Sequence, residues 1–144
     1  MREIEFRGKT KDGEWVYGYL DYRDNQFFIN EVFETPPTWQ DPCGDTHYER
    51  HLIDHETIGQ YTGLNDKNGN KIFEGDIVNF TIFDCFDCDT QYTGHVFYDV
   101  NYARFVIKFS NDCDDWFHIG TVVRQDDEIE IIGNIHDNQE MVKE

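Results

Sequence analysis

Cys85 and Cys88 stand in "DCFDC", a CxxC pair whose spacing alone invites chemistry. Two thiolates so spaced on a turn make half of a structural zinc site. Cys113 in "NDCDDW" and Cys43 in "DPCGD" supply two further sulfurs, and His47, His51, His95 or His118 offer nitrogens in their place. There is no second CxxC, and Asp84, Asp87, Asp89 and Asp112 crowd the thiols. Their charge attracts a cation but opposes the thiolate that a metal needs. Reduced, unliganded thiols are the expectation. Zinc at Cys85, Cys88, Cys113 and Cys43 is the alternative, and no other cofactor is indicated. A thioredoxin-like role requires its CxxC to open a helix in a βαβ setting, and no such pattern surrounds this one.

Other catalytic arrangements fare worse. The chain holds one serine, Ser110, with no nucleophile-elbow motif around it. No catalytic residue is assigned. The stretch "TIGQYTGLNDKNGNKIFEGDIV", Thr57 to Val78, is dense in Asn, Asp and glycine. A phosphate loop needs four residues between its glycines and Lys directly after the second. Here Gly63 and Gly69 are too far apart, and Asn70 separates Gly69 from Lys71. A calcium loop aligned on Asp66, Asn68 and Gly69 would put Leu64 first and Gly75 twelfth, where an acidic ligand and a glutamate are required. Turn chemistry fits instead. Asn68–Gly69 is a tight-turn dipeptide, since both residues accept positive φ. Gly75 and Asp76, between Phe73 and Ile77, re-aim the chain into the next strand.

The elements that hold these residues read as strands. "EIEF" (3–6) and "EWVYGYL" (14–20) alternate polar and apolar. "QFFINEVF" (26–33) follows "DYRDN", a hairpin turn. Residues 34–56, broken by three prolines and a glycine, read as a long irregular loop. Within it, His47, His51 and His55 recur every fourth residue, which allows a short helix. Five short strands follow near residues 72–73, 76–83, 92–100, 104–109 and 129–135. That count and length suit a small SH3-like barrel. The expected organisation is all-β, with an N-terminal β-rich region over 1–56 and an SH3-like β-barrel domain over 57–144.

Three blocks of the sequence resemble the YopX family of small bacteriophage and prophage proteins. They are "MREIEFRGK" with "GEWVYGYL", the Thr57–Val78 stretch, and "IEIIGNIHDN" near the C-terminus. The resemblance spans nearly the whole chain. It implies a C-terminal SH3-like barrel and a phage or prophage origin. It implies no activity, and it transfers no functional residue. Residues 34–55 and the "DCFDCDT" insert depart from the family pattern, as does His55, where the family often has proline.

Composition narrows the function classes. Asp and Glu number 30 against 12 Lys and Arg, a formal net charge of -18. Such a surface repels nucleic-acid phosphates and anionic membranes. Aromatic residues make up 16%, too many for a disordered acidic chain. No apolar run is long enough to span a bilayer. The charged "MREIEFRGKTKDGEW" carries no signal-peptide core, so a cytoplasmic location in the host bacterial cell is expected. The leading expectation is a non-enzymatic module that binds a protein partner of the host or phage. The alternatives are an acidic mimic of DNA that occupies a host nucleic-acid enzyme or repressor, and a metal-dependent enzyme or zinc-binding protein. The aromatics Trp15, Tyr17, Tyr19, Phe27, Phe28 and Phe33 need a surface to cover, which favours a homo-oligomer.

Overall fold

The computed structural model describes residues 3–83, 89–108, 116–119 and 129–138. Its ten described elements are all strands, and all their pairings are antiparallel. The chain divides into two units, one of residues 4–60 and one of residues 61–144 with 1–3.

The first unit holds β1 (Phe6–Thr10), β2 (Trp15–Arg23), β3 (Gln26–Thr35) and most of β4 (Asp45–Asn65). β1 begins at the last residue of "EIEF", because its register matches Phe6 to both Gly18 and Gln60. The expected alternation of β2 is present. Val16 is buried while Tyr17 and Tyr19 face solvent. At Gly18 this strand changes partner from β1 to β3. A side chain there would collide with the Asn30 carbonyl, so only glycine fits. The "DYRDN" turn forms through Asp24 and Asn25 at φ 52° and 63°, a two-residue hairpin loop whose twist suits the flanking strands.

The pairings run from β1 to β2, to β3, to β4 and back to β1. This circuit encloses Val16, Ile29 and Ile53, with Phe6, Leu20, Phe27 and Ile58 packed against them. Each fully buried aliphatic side chain contributes about 1.5–3 kcal/mol.

The expected irregular loop over 34–56 is corrected. β4 begins at Asp45, and its ladder with β3 extends from Phe28↔Leu52 out to Thr35↔Asp45. Only residues 36–44 connect the two strands, and the expected short helix is absent from 47–55, which lies wholly in β4. Beyond Asn30 the two strands form a ribbon, paired with each other alone among the described residues. Its residues from Asp45 to Arg50 are exposed on both faces. No buried face existed to imprint an alternating pattern on the sequence.

In the second unit, the end of β4 pairs with β5 (Lys71–Phe73). A five-stranded sheet follows, from β6 (Asp76–Phe83), β7 (Asp89–Asp99), β8 (Arg104–Lys108), β9 (Trp116–His118) and β10 (Glu130–Asn134), in the order β10-β6-β7-β8-β9. The five strands expected from the sequence for a small barrel correspond to β5 to β8 and β10; β5 pairs with β4 rather than joining this sheet, and β9 was not expected. Ile72, Val78, Phe80, Val96, Ile107, Ile119 and Ile129 form the core, with Leu64, Tyr92, Phe105 and Ile131 against it.

Candidate functional site

The Asn/Asp/Gly cluster is occupied by its own backbone. Asp66 is 7% exposed, and its Oδ1 accepts hydrogen bonds from the N–H groups of Asn68 (3.0 Å) and Asn70 (2.9 Å). Its Oδ2 accepts from Ile131 N–H at 3.2 Å, which ties the turn to β10. Lys67 N–H donates to the Ile129 carbonyl. Gly69 sits at φ 82° and closes the turn by donating to the Asp66 carbonyl at 3.0 Å. Gly75, at φ 88°, donates to the Val96 carbonyl and accepts from Ile135 N–H. Asp76 is 2% exposed, and its carboxylate accepts from Phe73 N–H at 2.8 Å. Both carboxylate oxygens of Asp66 and Oδ2 of Asp76 are thus committed to main-chain donors. Asp66 is the member of this cluster that the sequence reading missed. Its bond to Ile131 spans 65 positions of chain, and no local motif records it.

Cys85, Cys88, Cys113 and Ser110 lie outside the described residues. Cys43 is an exposed free thiol in the 36–44 connection, where it lines an open cavity of about 470 Å³ with Pro36, Pro37 and Gly44. A second open cavity, about 350 Å³, is lined by Lys11, Tyr22, Phe27 and His55 among others. His95 lies on β7 opposite Lys108 of β8. Burial, and then the neighbouring Lys108 charge, lower its pKa below the ordinary 6.5.

The ribbon and its 36–44 connection carry part of the exposed apolar surface of the first unit, beside Tyr17, Tyr19 and Tyr22 of β2. Val32 and Tyr48 stand opposite each other on one face, 37% and 70% exposed. Phe33 projects from the other face, opposite His47. Trp39, in the connection, is 88% exposed. Toward the base, Arg50 lies over the Phe28 ring at 5.4 Å.

Chemistry-bearing side chains also converge on this ribbon. Glu31 and Glu49 are direct cross-strand partners, and His51 lies two residues along β4 on the same face. His51 Nε2 is 3.3 Å from Glu31 Oε1 and 3.9 Å from Glu49 Oε1. His51 had been considered as a substitute ligand for the cysteine site. Its actual neighbours, Glu31 and Glu49, were not foreseen, because only the β3–β4 register brings them together.

No helix among the described residues is long and apolar enough to cross a membrane. Comparison with known proteins matches the YopX protein family over residues 5–143. None of the curated proteins matches the chain. Among solved structures, the crystal structure of protein EF1440 from Enterococcus faecalis is similar, at 23% sequence identity and a TM-score of 0.56. The similarity covers 99% of this chain and 100% of that one, and it concerns the fold.

Proposed function

Because the chain belongs to the YopX family, we propose that it is a non-enzymatic protein-binding module of phage or prophage origin, docking a host or phage protein through its β3–β4 ribbon. The observation that carries this reading is the bare apolar surface of the ribbon. Val32, Phe33 and Tyr48 of the ribbon and Trp39 of its connection are exposed, and the ribbon encloses no core of its own. Aromatic side chains rimmed by polar ones are what a protein interface uses as anchors. We read the second unit as an SH3-like small barrel. Its sheet order supports that reading, since β10, the last strand, returns beside β6, the first of the five.

A second reading is favoured by the net charge of -18, which suits a mimic of DNA directed at a basic groove. One experiment separates the two. The wild-type chain and a Trp39→Ser/Tyr48→Ser double variant are used to capture proteins from bacterial lysate at low and high salt. The docking reading expects one specific protein, retained at high salt and lost with the double variant. Equal capture by both variants refutes docking through the ribbon. Salt-sensitive capture of a nucleic-acid enzyme by both supports mimicry, because salt screens the interaction of exposed charges.

A further inference from the structure

We propose that Glu31, Glu49 and His51 form a binding site for a divalent transition-metal ion, with zinc the best fit. One donor atom from each of the three residues falls within 4.8 Å of the others. A tetrahedral ion with bonds of roughly 2.0–2.2 Å to nitrogen and oxygen sets its donors about 3.3–3.6 Å apart. The Glu31–His51 separation of 3.3 Å already meets that spacing, and the Glu49–His51 separation of 3.9 Å is a few tenths of an ångström longer. Glu49 is on the exposed side of the trio, its side chain 62% accessible, so its carboxylate can rotate inward.

Two further observations point to a cation. First, His51 Nε2 is buried and makes no hydrogen bond, although a carboxylate stands on either side of it. Such a nitrogen has the lone pair a metal takes up when the ring is neutral. Second, two glutamates occupy directly opposite positions of an antiparallel ladder. Like charges so placed repel, and an ion between them turns that repulsion into attraction. The site is held on two paired strands, where side-chain positions are fixed better than on a loop.

The donor set selects the metal. One imidazole nitrogen with two carboxylate oxygens is a zinc-type set, whereas calcium and magnesium prefer oxygen alone. Three protein donors leave a fourth position for water. Bound here, the ion clips β3 to β4 at the base of the ribbon, whatever the ribbon docks. His47 projects from the same face, opposite Phe33, but stands outside the trio. The competing arrangement has no metal. There His51 pairs directly with the Glu31 and Glu49 carboxylates.

The test is zinc binding by the full-length chain after chelator treatment, measured by equilibrium dialysis at neutral pH. Cobalt(II) absorption reports the ligand type. The variants are Glu31→Gln, Glu49→Gln, His51→Gln and a Cys43→Ser/Cys85→Ser/Cys88→Ser/Cys113→Ser quadruple variant. Second-sphere loss alone costs 10- to 100-fold in metal affinity, so loss of a direct ligand is expected to cost at least about tenfold. The expected result is one zinc per chain that survives the cysteine changes, with a cobalt spectrum free of thiolate bands. Far-UV circular dichroism checks that each variant folds. The glutamine changes relieve the like-charge pair, so weaker binding there cannot be ascribed to unfolding. Zinc binding unaffected by His51→Gln, abolished by the cysteine changes, or absent at a hundred micromolar would overturn the proposal.

Discussion

Replacing Asp66 by alanine tests the reading of the Thr57–Val78 stretch as turn chemistry. The buried carboxylate accepts three main-chain hydrogen bonds, from Asn68, Asn70 and Ile131. Bonds to a charged acceptor are worth about 1.5–3 kcal/mol each, and a donor that regains water loses less than one left dry. Asn68 and Asn70 are exposed, so their N–H groups rehydrate, at a cost of about 1 kcal/mol apiece. Ile131 is half-buried and carries the bond that ties β10 to the turn, for about 1–2 kcal/mol more. The sum is about 3–4 kcal/mol. With a urea dependence of about 2 kcal/mol per molar, the unfolding midpoint should fall by roughly 1.5–2 M. Asp66→Asn provides the internal control. It keeps one oxygen but can present an amide N–H to Ile131 N–H, so its loss should be about half as large. An alanine variant whose midpoint lies within about 0.3 M of wild type would refute the assignment of Asp66 as the clamp of this turn.

Gly69→Val and Gly75→Val should each destabilise by about 1–3 kcal/mol, because a β-branched residue resists φ near 82° and 88°; unchanged melting temperatures would show that neither position demands glycine. His95 titrates at lower pH in the folded than in the unfolded chain, so the folded state takes up its proton less readily. Its contribution is complete above the ordinary value of 6.5 and is lost as the pH falls toward the folded pKa, so wild type should lose more stability than His95→Gln between about pH 7.5 and 5.5 in chemical denaturation. In light scattering, the exposed aromatics of the first unit predict a mass above the 17.2 kDa of one chain; a monomer mass constant from low to high salt would exclude the homo-oligomer.

Most strands of the second unit were legible as short runs rich in β-branched and aromatic residues, and in β6 and β8 adjacent residues on both faces are buried, Ile77 with Val78 and Val106 with Ile107. Phe80, Val96 and Ile107 all sit in runs of this kind. The hairpin at Asp24–Asn25 was legible for a different reason, since both residues tolerate the left-handed region. Residues 45–50 were not. Solvent meets both of their faces, so β-pairing there depends on β3 rather than on a hydrophobic pattern. The histidine spacing was also ambiguous in kind. A period of four keeps residues on one face of a helix, but it is also twice the period of a strand. His47, His51 and His55 satisfy both, and only the partner strand decides between them. The Glu31–Glu49–His51 trio follows from the same register. Its members are 18 and 20 positions apart from Glu31, and no local spacing encodes their meeting.

The division of the chain after Gln60 falls inside β4, a strand of 21 residues. Domains of most proteins are delimited by exposed linkers, and gene fusion or truncation exploits those seams. This chain offers none at its own division. A fragment ending at Gln60 would retain the β1 and β3 pairings of β4, while one beginning at Tyr61 would retain only its pairing with β5. Each would expose a raw strand end where the main chain had been continuous. The two halves are therefore poor candidates for separate expression or for recombination with other proteins. Insertions have a better place to accumulate, in the 36–44 connection, where the backbone leaves the ladder and no core is interrupted.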